Sequence, residues 1–265
     1  MNRFIIGVQK SATTSLGILF NNNDHIDFDI SLKDVHFLSK NYKKENKKDL
    51  RNKFYKKVNK NNSLYIAVNY WRDELVIEEL IKLNFKLIII LRNPVDRAIS
   101  AHRYFSKLGQ TNKTLKRICK DYIDNGVDEL DIISNSMYSK ILKQYSEPTK
   151  KKLLVLKYED LILKEEKFLG KIEFFFNLKL INRSLKKSNI SGKENTYLKN
   201  IYKSIFYKCL SVILKKILPK KLIKLIYFKK RDLFLKNPNL IDIDSKKYLN
   251  KIFEQEIMYY DSNFN

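Results

Sequence analysis

Lys10, Ser11, Thr13, Thr14 and Ser15 crowd into a short stretch directly after an apolar run, Phe4-Ile5-Ile6-Gly7-Val8. A cation beside a cluster of hydroxyls is chemistry for holding phosphate. If the run is a buried strand and the hydroxyls open a helix, the turn between them aims successive backbone N–H groups at one spot. The helix dipole adds positive potential there. The lysine precedes the hydroxyls and G-x-x-x-x-G-K-[ST] is absent, so this is not the usual nucleotide-triphosphatase loop. A second set comprises Arg92, Asn93-Pro94, Arg97 and Ser100. Arg92 ends the run Leu87-Ile88-Ile89-Ile90-Leu91, at the place where parallel sheets bind ligands. Arg97 and Ser100 are three apart and share a helix face, so a guanidinium and a hydroxyl could clamp a second phosphate. Each set also has a structural reading. The first would be an ordinary strand–helix turn with a surface lysine, the second a helix-start ion pair of Arg92 and Arg97 with Asp96.

Positioning these residues requires strands and helices in alternation, and the hydrophobic pattern supplies them. Short apolar runs predict buried strands over 4–8, 64–68, 86–91 and 153–156. Helices are predicted from the Ser11–Ser15 cluster through Phe20, then over 73–83, 94–108, 136–145, 167–176 and 245–259. Asp73 and Glu74 put acid at the positive end of one helix, and Asn93-Pro94 is a cap followed by proline at the first helical position. The alternation predicts a three-layer α/β fold, with a central, mostly parallel sheet and helices on both faces. Right-handed crossovers bring the loops leaving the strands to one edge. No Pro/Gly/Ser-rich linker divides the chain, so residues 1–265 are read as a single domain.

Composition bounds the rest. With 265 residues, 44% hydrophobic and 12% aromatic, the chain is neither disordered nor too short for a sizeable core. Six glycines and four prolines exclude a collagen-like scaffold, and two cysteines exclude a disulfide framework or a Cys-rich zinc module. Three histidines are too few for the usual His-built cage, so no metal is expected. The net charge of +24 favours anionic partners, although heavy use of lysine, asparagine and isoleucine equally reads as compositional bias. No secretory signal is visible, which points to a cytoplasmic protein with Cys119 and Cys209 as free thiols. Lysines break the greasy stretch 201–228, so it cannot span a bilayer. Ile201, Ile205, Leu210, Ile213 and Leu214 alternate there with lysines, a pattern that suits either peripheral contact with an anionic membrane face or packing on the core.

Taken together, the two loops resemble the sulfotransferases that use 3'-phosphoadenosine 5'-phosphosulfate. Residues 4–16 resemble their 5'-phosphosulfate loop and residues 91–100 their 3'-phosphate motif. Lys33-Asp34-Val35-His36-Phe37-Leu38 is similar to a Lys-Glu-x-His-Phe-Phe segment of the heparan-sulfate-type branch, and residues 153–161 resemble a recurrent late strand. The resemblance implies a fold like that of P-loop nucleoside-triphosphate hydrolases, with 3'-phosphoadenosine 5'-phosphosulfate as cosubstrate. It implies that Lys10 meets the bridging oxygen of the leaving group, and that the Ser11, Ala12, Thr13, Thr14 and Ser15 loop holds the 5'-phosphosulfate. Arg92 and Ser100 would hold the 3'-phosphate. Asp34 falls where the branch has its glutamate base, His36 is the other candidate, and Lys193 falls in a late loop over the nucleotide.

The sequence departs from the family pattern in three places. Asp34 is one methylene shorter than glutamate. Ala12 stands where glycine is common, so the turn is expected to stay within backbone conformations open to an L-residue. Residues 64–71 keep only Tyr70 of a Lys-x-Pro-x-Tyr pattern near the acceptor. The implied acceptor is a hydroxyl of a carbohydrate or lipid-linked glycan. Two alternatives stand beside this reading. A P-loop small-molecule kinase lacks its lysine at the required position. A basic nucleic-acid-binding protein would show basic residues interleaved with aromatics on a sheet face, or a helix-turn-helix, and neither is visible. Charge alone would give only salt-sensitive, nonspecific binding.

Overall fold

The structure is a computed structural model that describes residues 2–28, 63–183 and 243–264, with Asp49, Asn52 and Leu185. Its centre is a sheet of four short strands: β1 (Arg3–Gly7), β2 (Leu64–Ile66), β3 (Lys86–Leu91) and β4 (Leu153–Lys157). All pairings are parallel and the order is β2-β1-β3-β4. The near-continuous apolar runs are explained by burial on both sheet faces. Phe4, Ile6, Leu87, Ile89 and Leu91 enter one core, where α2 (Glu74–Lys82) and α5 (Tyr138–Gln144) pack. Ile5, Ile66, Ile88, Ile90 and Leu156 enter the opposite core against α1 (Thr13–Asn21) and α8 (Glu165–Phe176). A third cluster joins α3 (Pro94–Lys107), α4 (Leu115–Asn125) and α9 (Ile243–Ile252) through Val95, Ala98, Ile118 and Leu249.

The strand order decides where chemistry can happen. β1 sits between β2 and β3, so the chain winds outward from it in both directions. By this topology the ligand crevice of such sheets falls at the carboxyl ends of β1 and β3. The two loops singled out in the sequence leave these two strands. Val8 N extends the pairing past β1 by donating to Ile90 O at 3.0 Å.

Local chemistry sets the helix ends. The Asp73 carboxylate accepts from Val76 N, Asn93 Oδ1 from Val95 N and Asp96 N, and Thr114 Oγ1 from Arg117 N. The last carbonyls of α8 receive cations from the sheet. Arg3 Nε donates to Phe176 O at 2.6 Å and Lys86 Nζ to Phe175 O at 2.7 Å, which suits the negative end of a helix. The expected helix over 245–259 is instead two helices, α9 and α10 (Glu254–Asn263), parted at Phe253, whose φ of −101° and ψ of 12° leave the helical range. The helix expected over 136–145 begins at Tyr138, after a 3-10 turn at Ser134–Ser136. Helix α4, the short α6 (Glu147–Lys151) and α7 (Tyr158–Leu163) are additional to the expected helices. The segment Lys33–Leu38, Lys193, Cys209 and residues 201–228 lie outside the described residues.

Gly7 ends β1 under the fully buried Trp71, and a Cβ there would lie 2.4 Å from Trp71 Cδ1. Trp71 has little room to yield, since its ring meets Tyr138 edge-on at 5.8 Å. Gly7→Ala is therefore expected to destabilise the protein by about 1–3 kcal/mol, the usual cost of overpacking, measured by urea unfolding. An unchanged midpoint would mean that Trp71 shifts freely.

Candidate active site

The loop leaving β1 is built on unusual backbone. Lys10 has φ 77° and Ala12 has φ 58° with ψ 11°, so two non-glycine residues occupy the left-handed region within three positions. Ala12 stays in the small part of that region open to an L-residue, at a cost of about 1–2 kcal/mol. Alternating backbone of this kind folds N–H groups into a concavity suited to anions. Helix α1 starts from it, and Ala12 at its cap position offers no side-chain acceptor. No side chain caps its start, in contrast to the side-chain-capped starts of α2, α3 and α4. Ser11 is fully buried and its Oγ has no hydrogen-bond partner among the described residues. Such an orphan costs about 1–3 kcal/mol unless something fills it.

Arg92 reaches this loop from β3. Its Nη1 donates to Lys10 O at 3.2 Å and its guanidinium lies 4.5 Å over the Tyr158 ring. Its Nε is buried without a hydrogen-bond partner among the described residues. The Lys10 ammonium turns elsewhere, resting 4.2 Å over the ring of Tyr104. Tyr104 lies one turn beyond Ser100 on the same face of α3, and Ser100 is half-buried. The two loops thus meet at the crevice, with Lys10 and Arg92 joined by a direct bond.

Arg97 does not join them. The expected clamp with Ser100 fails because Arg97 points into the interior and is fully buried. Its Nε donates to Ser136 Oγ at 2.5 Å and its Nη2 donates to Ile132 O. Nor does it pair with Asp96, which is exposed. Burial lowers the Arg97 pKa to about 10, an effect opposed by the Tyr138 and Asp128 side chains. Arg97 therefore ties the start of α3 to the 132–136 segment rather than facing a ligand.

Sequence reasoning missed Tyr104 and Tyr158 as parts of the site. Each had a weak signal. Tyr104 follows Ser100 by four positions on one helix, and Tyr158 directly follows the last residue of β4. Asp34, His36 and Lys193 lie outside the described residues, so their placement relative to the crevice is not part of this geometry. Among the described residues no three His, Cys, Asp or Glu side chains gather where they could hold a metal ion. Among the same residues no helix is long and apolar enough to cross a membrane.

Comparison with known proteins fits this architecture. Residues 2–223 match the family model described as sulfotransferase domain. A sulfotransferase from Alicyclobacillus acidocaldarius is similar in structure, with TM-score 0.54 and 18% identity over 70% of this chain and 85% of that one. A mouse sulfotransferase, SULT7A1, complexed with PAP, gives TM-score 0.43 and 15% identity over 68% of this chain and 60% of that one. No curated protein matches the chain. The family takes its sulfuryl group from 3'-phosphoadenosine 5'-phosphosulfate. Matched across most of its length and built on a P-loop-like α/β fold with a central parallel sheet, the chain belongs to the sulfotransferase family and is a sulfotransferase.

Proposed function

We propose that the chain moves a sulfuryl group from 3'-phosphoadenosine 5'-phosphosulfate to a hydroxyl of a carbohydrate or lipid-linked glycan, as a single domain over residues 1–265. The observation that carries the nucleotide half is the bond from Arg92 Nη1 to Lys10 O, beside two buried polar atoms without hydrogen-bond partners among the described residues, Ser11 Oγ and Arg92 Nε. A doubly phosphorylated adenosine supplies acceptors for both. The N–H groups of the Ser11, Ala12, Thr13, Thr14 and Ser15 loop, with the hydroxyls of its serines and threonines, hold the 5' end, where the helix start of α1 favours negative charge. Arg92 and Ser100 hold the 3'-phosphate.

In the transfer, the bond from sulfur to the bridging phosphate oxygen breaks and a bond from sulfur to the acceptor oxygen forms. The acceptor proton passes to a base. Lys10 offsets the charge that develops on the leaving oxygen. Asp34 or His36 takes the proton, a role supported by the likeness of residues 33–38 to the heparan-sulfate-type branch. Lys193 closes over the nucleotide on the same kind of support. The carbohydrate acceptor rests on that likeness as well. A site inside the cell, with residues 201–228 touching an anionic membrane face, rests on the basic amphipathic pattern there.

Thermal melting tests the nucleotide assignment. At a hundred times its dissociation constant a ligand adds about 2.7 kcal/mol of stability. Adenosine 3',5'-bisphosphate is expected to raise the melting temperature of the wild type and to lose that effect in Arg92→Ala. An unchanged shift in Arg92→Ala removes the 3'-phosphate assignment. Stabilisation by ATP and not by the bisphosphate would instead favour a kinase, and stabilisation by DNA alone a nucleic-acid-binding role.

A further inference from the structure

The peptide linking Arg92 to Asn93 is held from both edges by side chains of other elements. Its carbonyl, Arg92 O, accepts from the Tyr138 hydroxyl of α5 at 2.8 Å. Its amide, Asn93 N, donates to Glu159 Oε1 of α7 at 3.0 Å. The second Glu159 oxygen, Oε2, accepts from the hydroxyl of Tyr260 on α10. Tyr260 is buried, and its ring packs 6.4 Å from that of Tyr138. Burial and the bond to Glu159 push the Tyr260 phenol well above its ordinary pKa, so it stays the donor in this pair. A second tie seats the same helix. The buried Glu256 accepts from Ser139 N at 2.9 Å and from Ser139 Oγ at 2.5 Å, in the first turn of α5.

The chain of contacts therefore runs from α10 through Glu159 to the backbone that aims Arg92. The family model ends at residue 223, whereas α10 begins at Glu254. A guanidinium recognises phosphate by direction as much as by charge, so a peptide fixed on both edges matters more for Arg92 than for a lysine at the same place. We propose that Tyr260, on a helix beyond the stretch matched to the family, is a positioning residue for the nucleotide's 3'-phosphate, acting through Glu159 on the Arg92–Asn93 peptide. This rests on the reading that Arg92 binds that phosphate.

The test compares two ligands on the full chain by calorimetry: adenosine 3',5'-bisphosphate and adenosine 5'-monophosphate, which lacks the 3' group. Their affinity ratio reports the 3'-phosphate alone. Tyr260→Phe keeps the ring and loses the donor. It is expected to lower the ratio about tenfold, as for one hydrogen bond to a charged group, while the monophosphate affinity stays within about twofold. Glu159→Ala should do the same, and adding Tyr260→Phe to it should cost nothing further, since both act through one contact. Glu159→Gln keeps an acceptor for Asn93 N and should retain most of the ratio. Equal weakening of both ligands would reveal only a general loosening and overturn the proposal, as would an unchanged ratio in Tyr260→Phe and Glu159→Ala. Arg92→Ala separates the two levels. A collapsed ratio there with no effect of Tyr260→Phe refutes the coupling alone, whereas an unchanged ratio in Arg92→Ala refutes the 3'-phosphate reading on which it stands.

Discussion

Lys10→Ala is expected to lower kcat by about 10²–10³-fold, the usual loss when one preorganised donor to a developing oxyanion is removed. Lys10 lies on the loop between β1 and α1, with its ammonium 4.2 Å over the Tyr104 ring and its backbone carbonyl accepting from Arg92. Its replacement leaves that carbonyl in place, because the bond to Arg92 is made by Lys10 backbone. Affinity for adenosine 3',5'-bisphosphate should therefore fall far less than turnover. Stability should change by about 1–2 kcal/mol, the scale of a cation–π contact between half-buried partners. Steady-state kinetics with a binding titration makes the check. A variant that turns over normally would remove Lys10 from the chemistry, and one that loses nucleotide binding and turnover equally would make it a binding residue only.

The second large effect concerns the fold. Arg97→Ala is expected to destabilise the protein by about 3–5 kcal/mol. The substitution empties a fully buried volume and deprives Ile132 O and Ser136 Oγ of their donor. Ser136 Oγ still donates to Pro94 O at 3.0 Å, so one tie between α3 and the 132–136 segment survives. Arg97→Met fills most of the volume and removes a charge that burial disfavours, so its loss should be smaller than that of the alanine variant. Urea unfolding of the two variants makes the comparison. Arg97→Ala with wild-type stability would contradict the structural role, and Arg97→Met as unstable as Arg97→Ala would show that the guanidinium, not the volume, carries it.

The residues that became the site were legible because backbone rules apply to them directly. The apolar runs around Ile5 and Ile89 read as buried parallel strands from their length and flanking residues, and Asn93-Pro94 carried its helix start on its face. Strand order, and with it the meeting of the loops at Lys10 and Arg92, is a long-range property that those runs do not encode. Arg97 was misplaced for a related reason. Helical spacing gives the face of a residue but not the depth of what lies against it, and the 132–136 segment that covers Arg97 is far away in sequence. Helix α4 was legible but passed over: Leu115, Ile118, Cys119 and Tyr122 fall at helical spacing on its buried side, and Thr114 caps its start. The role of Tyr260 was illegible as that of Arg97 was, since its partner Glu159 lies on an element far away in sequence.

A structure determined with adenosine 3',5'-bisphosphate bound would put the nucleotide assignment at risk in one step. The expected result is the 5'-phosphate against the N–H groups and hydroxyls of residues 11–15, with Arg92 and Ser100 on the 3'-phosphate. A nucleotide bound away from the crevice between β1 and β3, or one that leaves Ser11 Oγ and Arg92 Nε without a partner, would contradict it.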